Sequence, residues 1–112
     1  MDEIQLLQKL IQIPSFSGHE EKLAKFIMGY CNDNNLRCQI QEGNVIIHIE
    51  GKDKTKALIF NAHMDTVNVG NMTKWKYPPT GKSAGKIVDG KVYGLGASDD
   101  KATVASMMLL AK

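Results

Sequence analysis

Cysteine is nearly missing from this chain: there are two, Cys31 and Cys38. They lack the spacing of a metal or redox pair and fall on different predicted elements, so reduced, inert thiols are expected rather than a disulfide. Aromatic residues are few at 6%, and 14 basic residues are scattered among 12 acidic ones for a net charge of +2. Without a basic stripe or interleaved aromatics, the footprint of a nucleic-acid binder is lacking. No apolar run approaches the length of a bilayer span, and the acidic start Met1-Asp2-Glu3 is unlike a signal peptide, which makes the cytoplasm the expected compartment. No internal repeat or linker is present. A chain of 112 residues is one domain at most. It stops inside a helical pattern with no capping glycine or polar tail, so a truncated domain is expected.

Residues 2–12 predict a helix. Ile4, Leu7 and Ile11 recur at helical spacing, Leu6 and Leu10 widen the stripe, and Pro14 stops it. Ser17-x-x-Glu20 has capping-box form and predicts the start of a second helix. Leu23, Phe26, Ile27, Tyr30 and Cys31 share one face of that helix until Asn32-Asp33-Asn34-Asn35 ends it. Alternation of Val45, Ile47 and Ile49 with Ile46, His48 and Glu50 predicts a strand over 45–50, joined to a strand over 37–41 by a turn at Glu42-Gly43-Asn44. After a lysine-rich turn, Ala57-Leu58-Ile59-Phe60 has no polar face, the pattern of a strand covered on both sides. A long irregular stretch, 66–85, follows. Asp89-Gly90 marks a hairpin over 87–93, and a last helix carries Val104, Met107, Met108 and Ala111 on one face. Together these predict an α/β fold with helices packed on a small mixed sheet.

Candidate chemistry gathers where residues 57–60 end. In open α/β sheets, ligands collect beyond the carboxyl ends of the strands, and a period of two puts His63 and Asp65 on one face. An imidazole nitrogen binds metal ions, and a nearby carboxylate fixes the ring and its tautomer. His-x-Asp alone is common by chance. Asp99, at the entry to the last helix behind Ser98, has two compatible readings: a helix N-cap, or a carboxylate for the same ion as His63. Gly94-x-Gly96 also invites a dinucleotide reading. That reading fails, because Asp99 stands where the third glycine belongs and would repel a pyrophosphate.

The run Ala62-His63-Met64-Asp65-Thr66-Val67, then Trp75 and Pro78-Pro79, then residues 89–101 (DGKVYGLGASDDK) resemble the opening part of the M20 metallopeptidase family. Ile13-Pro14-Ser15-Phe16-Ser17-Gly18-His19-Glu20 resembles the family's first helix-turn-helix. The resemblance implies the amino-terminal fragment, residues 1–112, of a two-zinc amide hydrolase, with cobalt or manganese as alternative metals and a peptide or N-acyl amino acid as substrate. By motif, His63 binds zinc, Asp65 orients His63 as a catalytic residue, and Asp99 bridges two metals. The Asp99–Asp100 peptide is a candidate for the cis form. Leu95 stands where arginine or proline is frequent, and Ala102 where glycine is. The family's general base, a glutamate of a Glu-Glu pair, and its remaining ligands lie beyond residue 112, as do the lid domain and the carboxy-terminal half. The resemblance therefore implies weak zinc binding and no catalysis by these residues alone. A rival reading is a non-catalytic domain that binds a partner, or itself, through uncovered sheet edges or apolar faces.

The remaining polar candidates have plainer readings. His48 and His19 are surface histidines. Glu20 and Glu21 are a capping and first-turn pair, and Lys52, Lys54 and Lys56 a solvated turn. Trp75 and Tyr77 either line a cleft or pin the long loop. Lys101 is part of the family motif without an evident chemical role.

Overall fold

The computed structural model describes all 112 residues. Helix α1 (Glu3–Gln12) opens on a capping box: the Asp2 carboxylate accepts from Gln5 N–H at 2.8 Å, and the Gln5 side chain accepts from Asp2 N–H at 3.1 Å. Its buried face is Leu6, Leu10 and Ile11, and Ile4, expected in the stripe, lies on the exposed side. Helix α2 (Glu21–Asp33) buries Leu23, Ala24, Ile27, Tyr30 and Cys31. Asn35 ends it in the left-handed region, at φ 56, where asparagine is tolerated better than most residues. Helix α3 (Lys101–Ala111) buries Val104, Ala105 and Met108 against α1 and α2. The Tyr30 hydroxyl donates to Met108 O at 3.3 Å and ties α2 to α3. No helix is long and apolar enough to cross a membrane.

Two antiparallel hairpins make up the sheet content. Strands β1 (Arg37–Gln41) and β2 (Asn44–His48) pair in register from Gln41–Asn44 to Arg37–His48. Their two-residue turn, Glu42-Gly43, has positive φ at both positions, the geometry that matches the twist of the flanking strands. β3 (Lys86–Val88) and β4 (Lys91–Tyr93) repeat the device at Asp89-Gly90, as the sequence predicts. Helix α2 lies against β1 and β2, with Val45 and Ile47 packed on the core and Ile46 turned outward.

The α/β class stands, but the covered strand at its centre does not. Residues 57–60 are in no strand, and Leu58, Ile59 and Phe60 are 88, 89 and 60% exposed. A buried strand needs partners on its edges and cover on its faces. Each two-stranded ladder here is filled by its own hairpin, and neither pairs with this segment. The one parallel link is further along, a bridge between Phe16 and Thr66.

The 66–85 stretch is fastened by contacts to α1 and to the second hairpin. Trp75 Nε1 donates to Val69 O at 2.8 Å, so Trp75 pins the loop on itself. Tyr77 stands edge-on to Tyr93, ring centroids 4.9 Å apart. Gln8 and Gln12 of α1 donate side-chain amides to Gly85 O and Ala84 O. Gly94 permits the closest approach: a Cβ there would meet Ile11 Cγ2 at 2.3 Å, and Ile11 is fully buried. Gly94→Ala is therefore expected to cost about 1–3 kcal/mol through overpacking, read as a fall in the urea midpoint with the slope unchanged.

Candidate metal centre

Three chain segments build the site. Residues 64–66 run beside 15–17: Ser15 Oγ donates to Met64 O at 2.8 Å, Thr66 N to Ser15 O at 2.9 Å, and Ser17 N to Thr66 O at 3.0 Å. The glycine-rich turn before α3 is held by Leu95 N donating to Pro79 O at 2.7 Å and Lys101 N to Gly96 O at 2.9 Å. The turn meets the 64–66 segment at Gly96, where an added Cβ would lie 2.9 Å from Thr66 Cγ2 and 3.2 Å from Lys101 Cδ. With φ 85, Gly96 is also in the left-handed region, so glycine is required there for both space and conformation.

That packing brings together the three residues singled out from the sequence. His63 Nε2 lies 2.8 Å from Asp99 Oδ1. On the other side of the ring, His63 Nδ1 lies 3.1 Å from Asp65 Oδ1 and 3.0 Å from Asp65 O. The Asp99–Asp100 peptide is cis. Asp100 Oδ2 accepts from His63 N–H at 3.4 Å and lies 4.0 Å from Nε2. The capping reading of Asp99 is not realised. Asp100 is the N-cap of α3 and no side chain caps that helix; Asp99, 87% exposed, points its carboxylate at the imidazole instead.

The electrostatics follow from these contacts. Asp99, then the Asp65 carbonyl, raise the His63 pKa above its ordinary value. These contacts favour the charged form of the ring, which has an acceptor within reach of each nitrogen. The Ser17 hydroxyl, more than His63, holds the Asp65 carboxyl below the usual carboxylate range.

An imidazole nitrogen and a carboxylate facing each other suit a divalent cation. Asp65 already occupies Nδ1, so Nε2 is the ring nitrogen that could ligate an ion. No three His, Cys, Asp or Glu side chains converge as a ligand cluster; His63 and Asp99 are a pair of donors.

Other candidates lie elsewhere. His48 stands 3.5 Å from Glu50, which also pairs with Lys54, all three exposed. His19 is exposed. Cys31 is buried and Cys38 half-buried, both unpaired; burial, then Cys38, pushes the Cys31 thiol up to about 12, which keeps it protonated and unreactive. Two residues were passed over. Ser17, read as a helix cap, instead donates its hydroxyl to Asp65 Oδ2. Lys101, given no chemistry, is buried with its ammonium on Leu10 O at 2.7 Å and Ile13 O at 2.8 Å. It fastens the end of α1 to the turn that carries Asp99. Its position two residues after Asp99 was the one signal available.

The profile of Peptidase family M20/M25/M40 matches residues 59–112, the stretch that holds His63, Asp65 and Asp99. Over the whole chain, similarity extends to succinyl-diaminopimelate desuccinylases. That of Wigglesworthia glossinidia brevipalpis is 29% identical over 113 residues, covering 100% of this chain and 29% of the relative. That of Blochmanniella floridana is 30% identical over 117 residues, covering 99% of this chain and 30% of the relative. The Ehrlichia ruminantium protein is 28% identical over 115 residues. The chain thus spans about three tenths of the length of these relatives.

Proposed function

We propose that these 112 residues are the amino-terminal part of the catalytic domain of a metal-dependent amide hydrolase, one that removes an acyl group from an amino acid or cleaves a peptide. The observation that carries this reading is the 2.8 Å approach of His63 Nε2 to Asp99 Oδ1 across 36 residues of sequence. Relatives named for the desuccinylation of succinyl-diaminopimelate support an N-acyl amino acid as the substrate class. His63 Nε2 and the Asp99 carboxylate would hold a divalent cation, zinc first and cobalt or manganese as alternatives. Asp65 would fix the ring so that Nε2 is turned to such a cation. A cation bound there supplies Lewis-acid polarisation of the scissile carbonyl. Two protein donors are one short of the usual catalytic set, so the general base and the further ligands come from residues outside these 112. The two unpaired thiols fit a reducing compartment, and the cytoplasm is part of the proposal.

The test is a zinc titration beside an amidase assay on the 112-residue chain. Weak zinc uptake that requires both His63 and Asp99, with no turnover of N-succinyl or N-acetyl amino acids, is expected. Turnover by the purified chain, or uptake unchanged in Asp99→Ala, contradicts the reading.

A second reading, self-association without chemistry, is favoured by the bare apolar segment at 57–60. Leu58 and Ile59 lie exposed on a stretch with no ladder partner, the feature that edge-protected proteins avoid. Two copies pairing there would satisfy the free backbone and bury these side chains. Sedimentation velocity is expected to show dimers or larger species that dissociate in the double variant Leu58→Lys, Ile59→Lys. A monomer at all concentrations for the unaltered chain would remove this reading.

A further inference from the structure

We infer that Ser17 is a positioning residue for His63, acting through Asp65; its bearing on metal binding rests on the proposed reading of His63 as a ligand. The sequence assigns Ser17 to a capping box, yet the structure withholds that duty. Helix α2 begins four residues on, with Glu20 at its N-cap and no side-chain cap bond. Glu20 turns its carboxylate to Gly18 N–H at 2.8 Å instead. Ser17 is held beside the site by its own N–H, which donates to Thr66 O at 3.0 Å. Its hydroxyl has one proton and two acceptors in reach, Asp65 Oδ2 and, at 3.4 Å, Thr66 O. The charged, nearer acceptor takes it.

The two Asp65 oxygens therefore have divided work: Oδ2 takes the Ser17 hydroxyl, and Oδ1 faces His63 Nδ1 at 3.1 Å beside the Asp65 carbonyl at 3.0 Å. The outer torsion of an aspartate is broad and roughly two-fold. A carboxylate held at one oxygen only could swing, and the imidazole would lose its charged acceptor and keep only the neutral Asp65 carbonyl at Nδ1. Hydroxyl, carboxylate and imidazole form a chain from residues 17, 65 and 63, and the outermost link sets the angle of the innermost ring. Ser17 is exposed, so water replaces the lost bond in a variant and the fold does not depend on it. That exposure separates positioning from support.

The test compares Ser17→Ala with Ser17→Thr, which keeps the hydroxyl, in the 112-residue chain. Without metal, ¹H–¹⁵N spectra of the His63 ring are expected to show the Nδ1–H resonance in the unaltered chain and in Ser17→Thr. In Ser17→Ala it is lost to exchange with water while the thermal midpoint stays in place. Zinc affinity is expected to fall about tenfold in Ser17→Ala and to return in Ser17→Thr, the usual scale for a partner behind a ligand. A protected Nδ1–H in Ser17→Ala, or equal loss in Ser17→Thr, overturns the inference. If zinc binds none of the three while Nδ1–H follows the hydroxyl, the positioning role of Ser17 stands and the metal reading of His63 fails.

Discussion

Lys101→Met is expected to lower the stability of the folded chain by about 1–3 kcal/mol, a large share of the 5–15 kcal/mol typical of a domain. Lys101 is 1% exposed, and its ammonium is a donor for two carbonyls, Leu10 O and Ile13 O, at the end of α1. The last carbonyls of a helix have no partner within it. Methionine keeps most of the aliphatic stem, so packing is retained while both acceptors lose this donor. Leu10 O keeps the Ile13 N–H at 3.3 Å, so the loss falls on Ile13 O; one orphaned acceptor costs about 1–3 kcal/mol, partly offset by relief of a buried charge. Urea unfolding of the two proteins side by side measures the difference. An unchanged midpoint would show that the carbonyls find other partners.

The same residue predicts a pH dependence. Burial lowers the Lys101 pKa from 10.5 to about 8. Above pH 8 the unfolded chain keeps a proton that the folded chain has released, so stability rises with pH. Cys31 has the opposite sign: its thiol is raised from 9.0 to about 12. Above pH 9 the unfolded chain therefore loses that proton first, and stability falls. The net gain belongs to the window between pH 8 and 9, and is expected to disappear in Lys101→Met.

The second large effect is on the metal. In the longer protein proposed here, His63→Ala and Asp99→Ala are each expected to lose zinc and at least about a thousandfold in rate, because each removes a donor that no neighbour replaces. Asp65→Asn differs in kind. The amide still accepts a hydrogen bond but carries no charge to raise ring basicity, so much of the metal is expected to stay while the rate falls about 10–100-fold. Metal content by atomic absorption, beside kcat for an N-acyl amino acid, separates the two patterns. Full activity with metal retained in Asp99→Ala would refute the role of that carboxylate.

Local chemistry was legible in the sequence where it is decided locally. The Asp89-Gly90 turn, the asparagine-rich end of α2 and the face of Leu23, Ile27, Tyr30 and Cys31 all depend on neighbours within a few residues. Residues 57–60 were misread because apolarity states what a segment needs, not whether the chain supplies it; burial is a property of distant partners. Ser17 had a plausible local partner in Glu20 and found a better one 48 residues away. A buried lysine is so unusual that the motif containing Lys101 did not point to its burial; only the carbonyls of α1, 91 and 88 residues distant, explain it. The pairing of His63 with Asp99 was reached through two motifs in order. Their approach depends on Gly96 passing against Thr66, which spacing does not reveal.

The most direct measurement is a zinc titration of the isotope-labelled chain, followed at the imidazole nitrogens and the aspartate carboxyl carbons. The three histidines make the experiment self-controlled. The account predicts that Nε2 of His63 and the carboxyl carbon of Asp99 shift together, at one zinc concentration, while His19 and His48 stay still. Movement at His19 or His48 with residues 63 and 99 unmoved would contradict it.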